Sequence, residues 1–107
     1  MLEAIPLAAD ERLFEVHPEL AFRSLAGRVM ITAKRTWNGA VERQEALESV
    51  NLTLPAHLGS AGAAPVDDVL DAAVCAWVAK RIDANEAASV PSEPEHDDSG
   101  RPMAIYF

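Results

Sequence analysis

Apolar positions along the chain come in short runs separated by Pro, Gly and acidic residues, and the spacing within each run predicts its element. Leu13, Phe14 and Val16 suggest a short strand. Period-two alternation puts Phe14 and Val16 on one side of it and Leu13, Glu15 and His17 on the other. Pro18 stops the strand and suits the first turn of a helix carrying Leu20, Phe22, Leu25 and Ala26, which Gly27 closes. Val29-Met30-Ile31 reads as a second extended piece. Asn38-Gly39 punctuates the chain, with Asn38 as cap of a helix over about 39–50. Val41, Ala46, Leu47 and Val50 mark its inner face, and Glu42, Arg43, Glu45 and Glu48 its outer one. Residues 51–64 read as loop. Val66, Val69, Leu70, Ala73, Val74 and Trp77 then fall on one stripe of a helix over about 66–84.

Residues 89–101 shift to Pro, Ser, Glu and Asp, the composition of a solvated acidic loop. The apolar end over 102–107 returns as a strand. The expected fold class is therefore α/β: one domain over 1–107, mostly helical, with two or three short strands and an incomplete sheet. A lone strand over 13–16 needs partners for its backbone groups. Either a second copy or another partner supplies them, or an apolar face stays partly uncovered.

With 107 residues the chain buries only a modest core. Its formal net charge of −8 argues against broad electrostatic capture of nucleic acid. A single cysteine, Cys75, excludes an internal disulfide and fits a reducing, cytoplasmic setting. No run of about 18 apolar residues indicates a membrane span, and the start lacks a signal-peptide pattern.

The candidate chemistry lies in carboxylates. At about 100° per residue, Asp67 and Asp71 lie about 40° apart on the main helix, and Asp68 and Asp71 about 60°. Like charges at these spacings repel by roughly 0.2–0.5 kcal/mol per pair, a sign that a divalent cation reverses. Magnesium takes such oxygen ligands, and two ions clamp the attacking and leaving oxygens of a phosphodiester displacement. Capping and the helix dipole account for Asp67 and Asp68 without a metal, whereas Asp71 sits a full turn in. It stays open between metal ligand and partner of a nearby Lys or Arg. Glu15 is a second candidate ligand, with solvent exposure as the alternative. His17 suits a local hydrogen bond, and Glu19 is favoured in a first helical turn by the dipole. Lys34, Arg35 and Arg43 suit either phosphate or a solvated face. Trp37 and Trp77 read as packing residues. No nucleophile dyad pairs His57 or His96 with Cys75 or a serine.

Glu15-Val16-His17-Pro18-Glu19, Lys34 ahead of Gly39 and Arg43, Asp67-Asp68-x-x-Asp71-Ala72, and Glu95-x-Asp97-x-x-Gly100 before an apolar end together resemble a family. It is the bacterial domain of unknown function 429, predicted nucleases assigned to the RNase H-like superfamily. The resemblance runs from about residue 12 to the end. It implies that Glu15 matches the Glu of the superfamily's fourth strand and that Asp68 and Asp71 match its helical Asp-x-x-Asp pair, with Asp67 a possible substitute. His17, Glu19, Lys34 and Arg43 match the narrower pattern as possible substrate contacts. The implied cofactor is Mg2+ or Mn2+, the implied partner nucleic acid, and the implied reaction phosphodiester hydrolysis by metal-bound water.

Family members are usually longer and open with a Gly-rich strand bearing an Asp. The early acids here, Glu3 and Asp10, lie in non-strand context. The chain thus resembles the C-terminal half of an RNase H-like fold, with one ligand expected outside it, so that this fragment is expected to be inactive. The alternative is a non-enzymatic interaction or structural module. A sugar-kinase-like phosphotransferase ranks below both, since no phosphate-cradling glycine loop is present.

Overall fold

A computed structural model describes residues 14–100 and 102–107. The expectations for Glu3, Asp10 and Leu13 lie outside those residues. Three helices and a small mixed sheet follow in the order β1 (Glu15–Val16), α1 (Pro18–Ala26), α2 (Trp37–Glu48), α3 (Val66–Asp83), β2 (Ser89–His96) and β3 (Pro102–Tyr106), with a short 3-10 turn at Gly59–Ala63.

The start and stop signals of α1 work as expected. Pro18 enters the first turn, and Gly27 ends the helix at φ 73°, its N–H bonded to the Arg23 carbonyl. Asn51 and Asn85, at φ 66° and 60°, turn the chain beyond α2 and α3. Beyond α3, Asn85 N–H bonds the Ile82 carbonyl and Glu86 N–H the Arg81 carbonyl, a Schellman closure without glycine.

The helices pack on one another in pairs around Phe22, Leu47, Leu70, Val74 and Val78, all fully buried. The buried stripe of α3 is Leu70, Val74 and Val78. It is rotated from the expected one: Val78 belongs to it, and Val66 is 56% exposed.

β3 is the middle strand. β1 pairs with it in parallel, Glu15 opposite Ile105, and β2 pairs with it antiparallel, Ser89 opposite Tyr106. The strand at Glu15–Val16 therefore finds its partner within the chain. Val16, Tyr106 and Phe107 pack against the helical core, and the Phe14 and Tyr106 rings meet edge to face at 4.9 Å.

Three expectations need correction. Residues 89–101 are not one loop, because Ser89–His96 form β2. Their polar composition fits an edge strand with little to bury, which tolerates Pro91, and the register is irregular between Val90 and Glu95. The turn after it is closed by Asp97, whose side chain accepts from Ser99 N–H and whose carbonyl accepts from Gly100 N–H. Val29–Ile31 are not a strand. Their backbone is irregular and held by side chains described below.

The third correction concerns α2, which begins at Trp37 and is capped by Thr36, not Asn38. Thr36 Oγ1 accepts from Gly39 N–H at 2.9 Å. Gly39 is thus not turn punctuation but a buried residue of the first helical turn. A Cβ there would overlap the Ala33 carbonyl oxygen and crowd the Arg43 guanidinium. Alanine usually improves a helix by roughly 0.5–1 kcal/mol over glycine. Here Gly39→Ala is expected to destabilise by about 1–3 kcal/mol, in the range of overpacking. A urea midpoint at or above that of the unsubstituted protein would contradict this close approach.

Candidate functional site

The acidic start of α3 is met by two consecutive bases from the segment ahead of α2. Lys34 Nζ donates to Asp71 Oδ2 at 2.8 Å, and Arg35 Nε donates to Asp67 Oδ2 at 3.2 Å. Asp67 and Asp71 share a face one turn apart, so neighbouring residues can reach both. The Arg35 hydrogen bond holds the Asp67 carboxyl below its ordinary value, against its partial burial. The Asp71 hydrogen bond raises the Lys34 ammonium, again against burial. The second Asp71 oxygen, Oδ1, is buried without a hydrogen-bond partner among the described residues. Asp68 is exposed. Pro65 is the cap residue of α3 and supplies no side-chain cap.

What aims Lys34 and Arg35 is the path of residues 28–36, and two charged side chains of α2 set that path. Glu42 accepts from Ile31 N–H, Thr32 N–H, Thr32 Oγ1 and Arg28 Nη1, the last at 2.6 Å. Arg28, then Thr32 and the two amides, hold its carboxyl well below the usual range. Arg43, expected on the outer face, is 2% exposed. It donates to both Glu19 oxygens at 3.1 and 2.6 Å and to the Thr32 and Gly39 carbonyls at 3.0 Å each. Its guanidinium lies 5.8 Å from the Phe22 ring centre. Glu19 and Arg43 therefore serve each other, with the Arg43 side chain buried and Glu19 partly open to solvent.

Between the N-terminal ends of α2 and α3 lies a cavity of about 630 Å³, lined by Lys34, Arg35, Trp37, Gln44, Val66 and Asp68 among others. Trp37, expected as a packing residue, is 78% exposed. Its position at the start of α2, just after the Thr36 cap, puts it outside the core. Trp77 is half-buried as expected, with Arg81 over its ring at 4.8 Å.

Glu15 and His17 are exposed on the same side of β1, with His17 Nε2 3.1 Å from Glu15 Oε2. The alternation expected for this strand is present, with Val16 turned to the core. Among the described residues no group of three or more His, Cys, Asp or Glu is placed to hold a metal ion. Glu15, Asp67, Asp68 and Asp71 are thus not gathered into one donor set. Burial, with Asp71 adding to it, pushes the Cys75 thiol up, away from nucleophilic use.

These elements define a small α/β domain in which Asp67 and Asp71 of α3 are met by its own bases. The chain belongs to the family described as Protein of unknown function (DUF429), whose model matches residues 3–96. No match was found among curated proteins or solved structures. Among the described residues no helix is long and apolar enough to cross a membrane.

Two outcomes test the charged framework. Arg43→Lys keeps the charge but loses the two-pronged grip on Glu19. It is expected to destabilise by about 1–3 kcal/mol, as for buried acceptors left without their donors, read from the urea midpoint; an unchanged midpoint would refute the role. Glu42→Gln is expected to lower Tm at pH 7. The folded Glu42 value lies below the ordinary 4.5. Its stabilisation is therefore complete above that pH and lost as the pH falls toward the folded value. The Tm gap between the two proteins should close on acidification below pH 4.5. A gap independent of pH would refute the assignment.

Proposed function

We propose that this chain carries the acid pattern of a metal-dependent phosphodiester hydrolase of RNase H-like type but works as a non-cleaving interaction module. The observation that carries this reading is the internal neutralisation of the helical acids, Asp71 by Lys34 and Asp67 by Arg35. A divalent ion would have to compete with an ammonium and a guanidinium for them, and Glu15 lies on β1 in a contact with His17. The lone cysteine supports placing this module in the cytoplasm.

The hydrolase reading keeps one specific support. Asp71 Oδ1 is buried and, among the described residues, unpartnered, a state that costs about 1–3 kcal/mol and that Mg2+ or Mn2+ would relieve. In that reading Glu15, Asp68 and Asp71 would have to come together to hold the ion, with Asp67 as a substitute. The ion would supply an activated water and charge for the phosphodiester, and Lys34 and Arg35, released from their carboxylates, would face the phosphate.

Calorimetric titration of the purified chain with MnCl2 separates the two. The module reading expects no saturable heat and no cleavage of DNA or RNA in magnesium or manganese. Saturable binding lost in Glu15→Gln and Asp71→Asn, with cleavage lost in Asp71→Ala, would replace it with the hydrolase reading.

A further inference from the structure

The segment from Arg28 to Thr36 turns Met30 toward the core but holds Val29 and Ile31 out in solvent. Ile31 is 81% exposed, Val29 63% and Trp37, at the head of α2, 78%. Such exposure on a floppy loop would mean little. Here the backbone is fixed from beneath: Ile31 and Thr32 amides bond Glu42, the Thr32 carbonyl accepts from Arg43, and Thr36 caps α2. Trp37 joins two hollows. One holds Val66 and Asp68, and the other, of about 300 Å³, holds Ile31, Val41 and Glu45. The result is a continuous apolar surface on a rigid frame, the form that marks an interaction site.

Charge around this surface selects the occupant. Each base beside it already faces a carboxylate of the same chain: Arg28 with Glu42, Lys34 with Asp71, Arg35 with Asp67. Glu45 and Asp68 are exposed, and neither is paired with a base among the described residues. The chain as a whole carries −8. A polyanion would meet repulsion with no uncommitted base to offset it, whereas a cationic partner is steered in. The exposed Trp37 face also favours cations.

We infer that the Ile31–Trp37–Val66 surface, flanked by Glu45 and Asp68, is a docking site for a basic, apolar-anchored segment of another protein. An apolar side chain of that segment enters beside Trp37, and its Lys or Arg residues face Glu45 and Asp68. The inference rests on the module reading and supplies its partner class.

The test uses the 107-residue chain with Trp77→Phe, so that Trp37 alone reports by fluorescence. The probe is a short synthetic Leu/Lys amphipathic peptide, with a Leu/Glu peptide of the same pattern and a single-stranded oligonucleotide as comparators. Expected are a saturable blue shift with the Leu/Lys peptide, its weakening by added salt, and its loss in both Ile31→Ser and the Glu45→Lys/Asp68→Lys double variant. These positions are exposed, and circular dichroism checks that each variant keeps its helices. No shift, an equal response to the Leu/Glu peptide, or a response to the oligonucleotide instead would overturn the inference. So would sedimentation showing that a second copy of the chain already covers Trp37. Cleavage of the oligonucleotide with manganese, alongside normal peptide binding, would remove the module reading while leaving the docking site.

Discussion

Arg43 is the charge on which the arrangement turns. Burying a guanidinium is unfavourable unless nearly every N–H finds an acceptor. Four of its bonds do so, in three directions: to Glu19 on α1, to the Gly39 carbonyl on its own helix, and to the Thr32 carbonyl. Its place between α1 and α2 thus also sets the height of the loop at Thr32. With the Thr32 carbonyl turned to Arg43, the neighbouring amides are free to face Glu42. With the loop at that height, Ala33 runs close over Gly39, where a Cβ would not fit. Only then do Lys34 and Arg35 lie within reach of Asp71 and Asp67 on α3. The ion pairs at the cavity follow from an interaction on the other side of the loop.

Elements governed by local chemistry were legible before the structure. Pro18 and Gly27 bound α1 because one presets φ and the other adopts the left-handed conformation. The apolar end became β3, and the alternation around Glu15 held. Elements decided by distant contacts were not legible. β2 is polar on both sides, so nothing in Ser89–His96 distinguishes it from a loop until β3 lies beside it. The rotation of the α3 stripe to include Val78 depends on where α1 and α2 press.

The site divides in the same way. Asp71 stood out as an acid one turn into an apolar helix, and its pairing with Lys was among the outcomes its position allowed. Arg43 was misplaced on the outer face because a charged residue in a mixed helix ordinarily faces water. Its burial depends on Glu19, twenty-four positions away. Glu42 reads as an outer-face residue for the same reason, although the consecutive Ile31 and Thr32 both bond to it. The Thr36-x-x-Gly39 spacing was the one local signal available for α2. Read as a cap, it starts the helix at Trp37 and puts that side chain on the first, least covered turn.

Acids clustered at a helix start admit two physical uses, and the placement of bases distinguishes them. A site poised for a cation leaves its carboxylates facing one another, with repulsion stored for the ion to relieve. Here Lys34 and Arg35 relieve Asp71 and Asp67 already, and the same bonds tie residues 28–36 to α3. Surface ion pairs are individually weak, but these act on a segment also held by Glu42 and Arg43. Their combined effect is geometric: they fix a loop that sends Met30 to the core and leaves Val29 and Ile31 outside. Ile31 and Trp37 remain in solvent because the charges beneath them dictate the backbone path, and burying either would require releasing those charges. Asp71 and Asp67 thus hold residues 28–36 against α3, beneath the exposed Ile31 and Trp37.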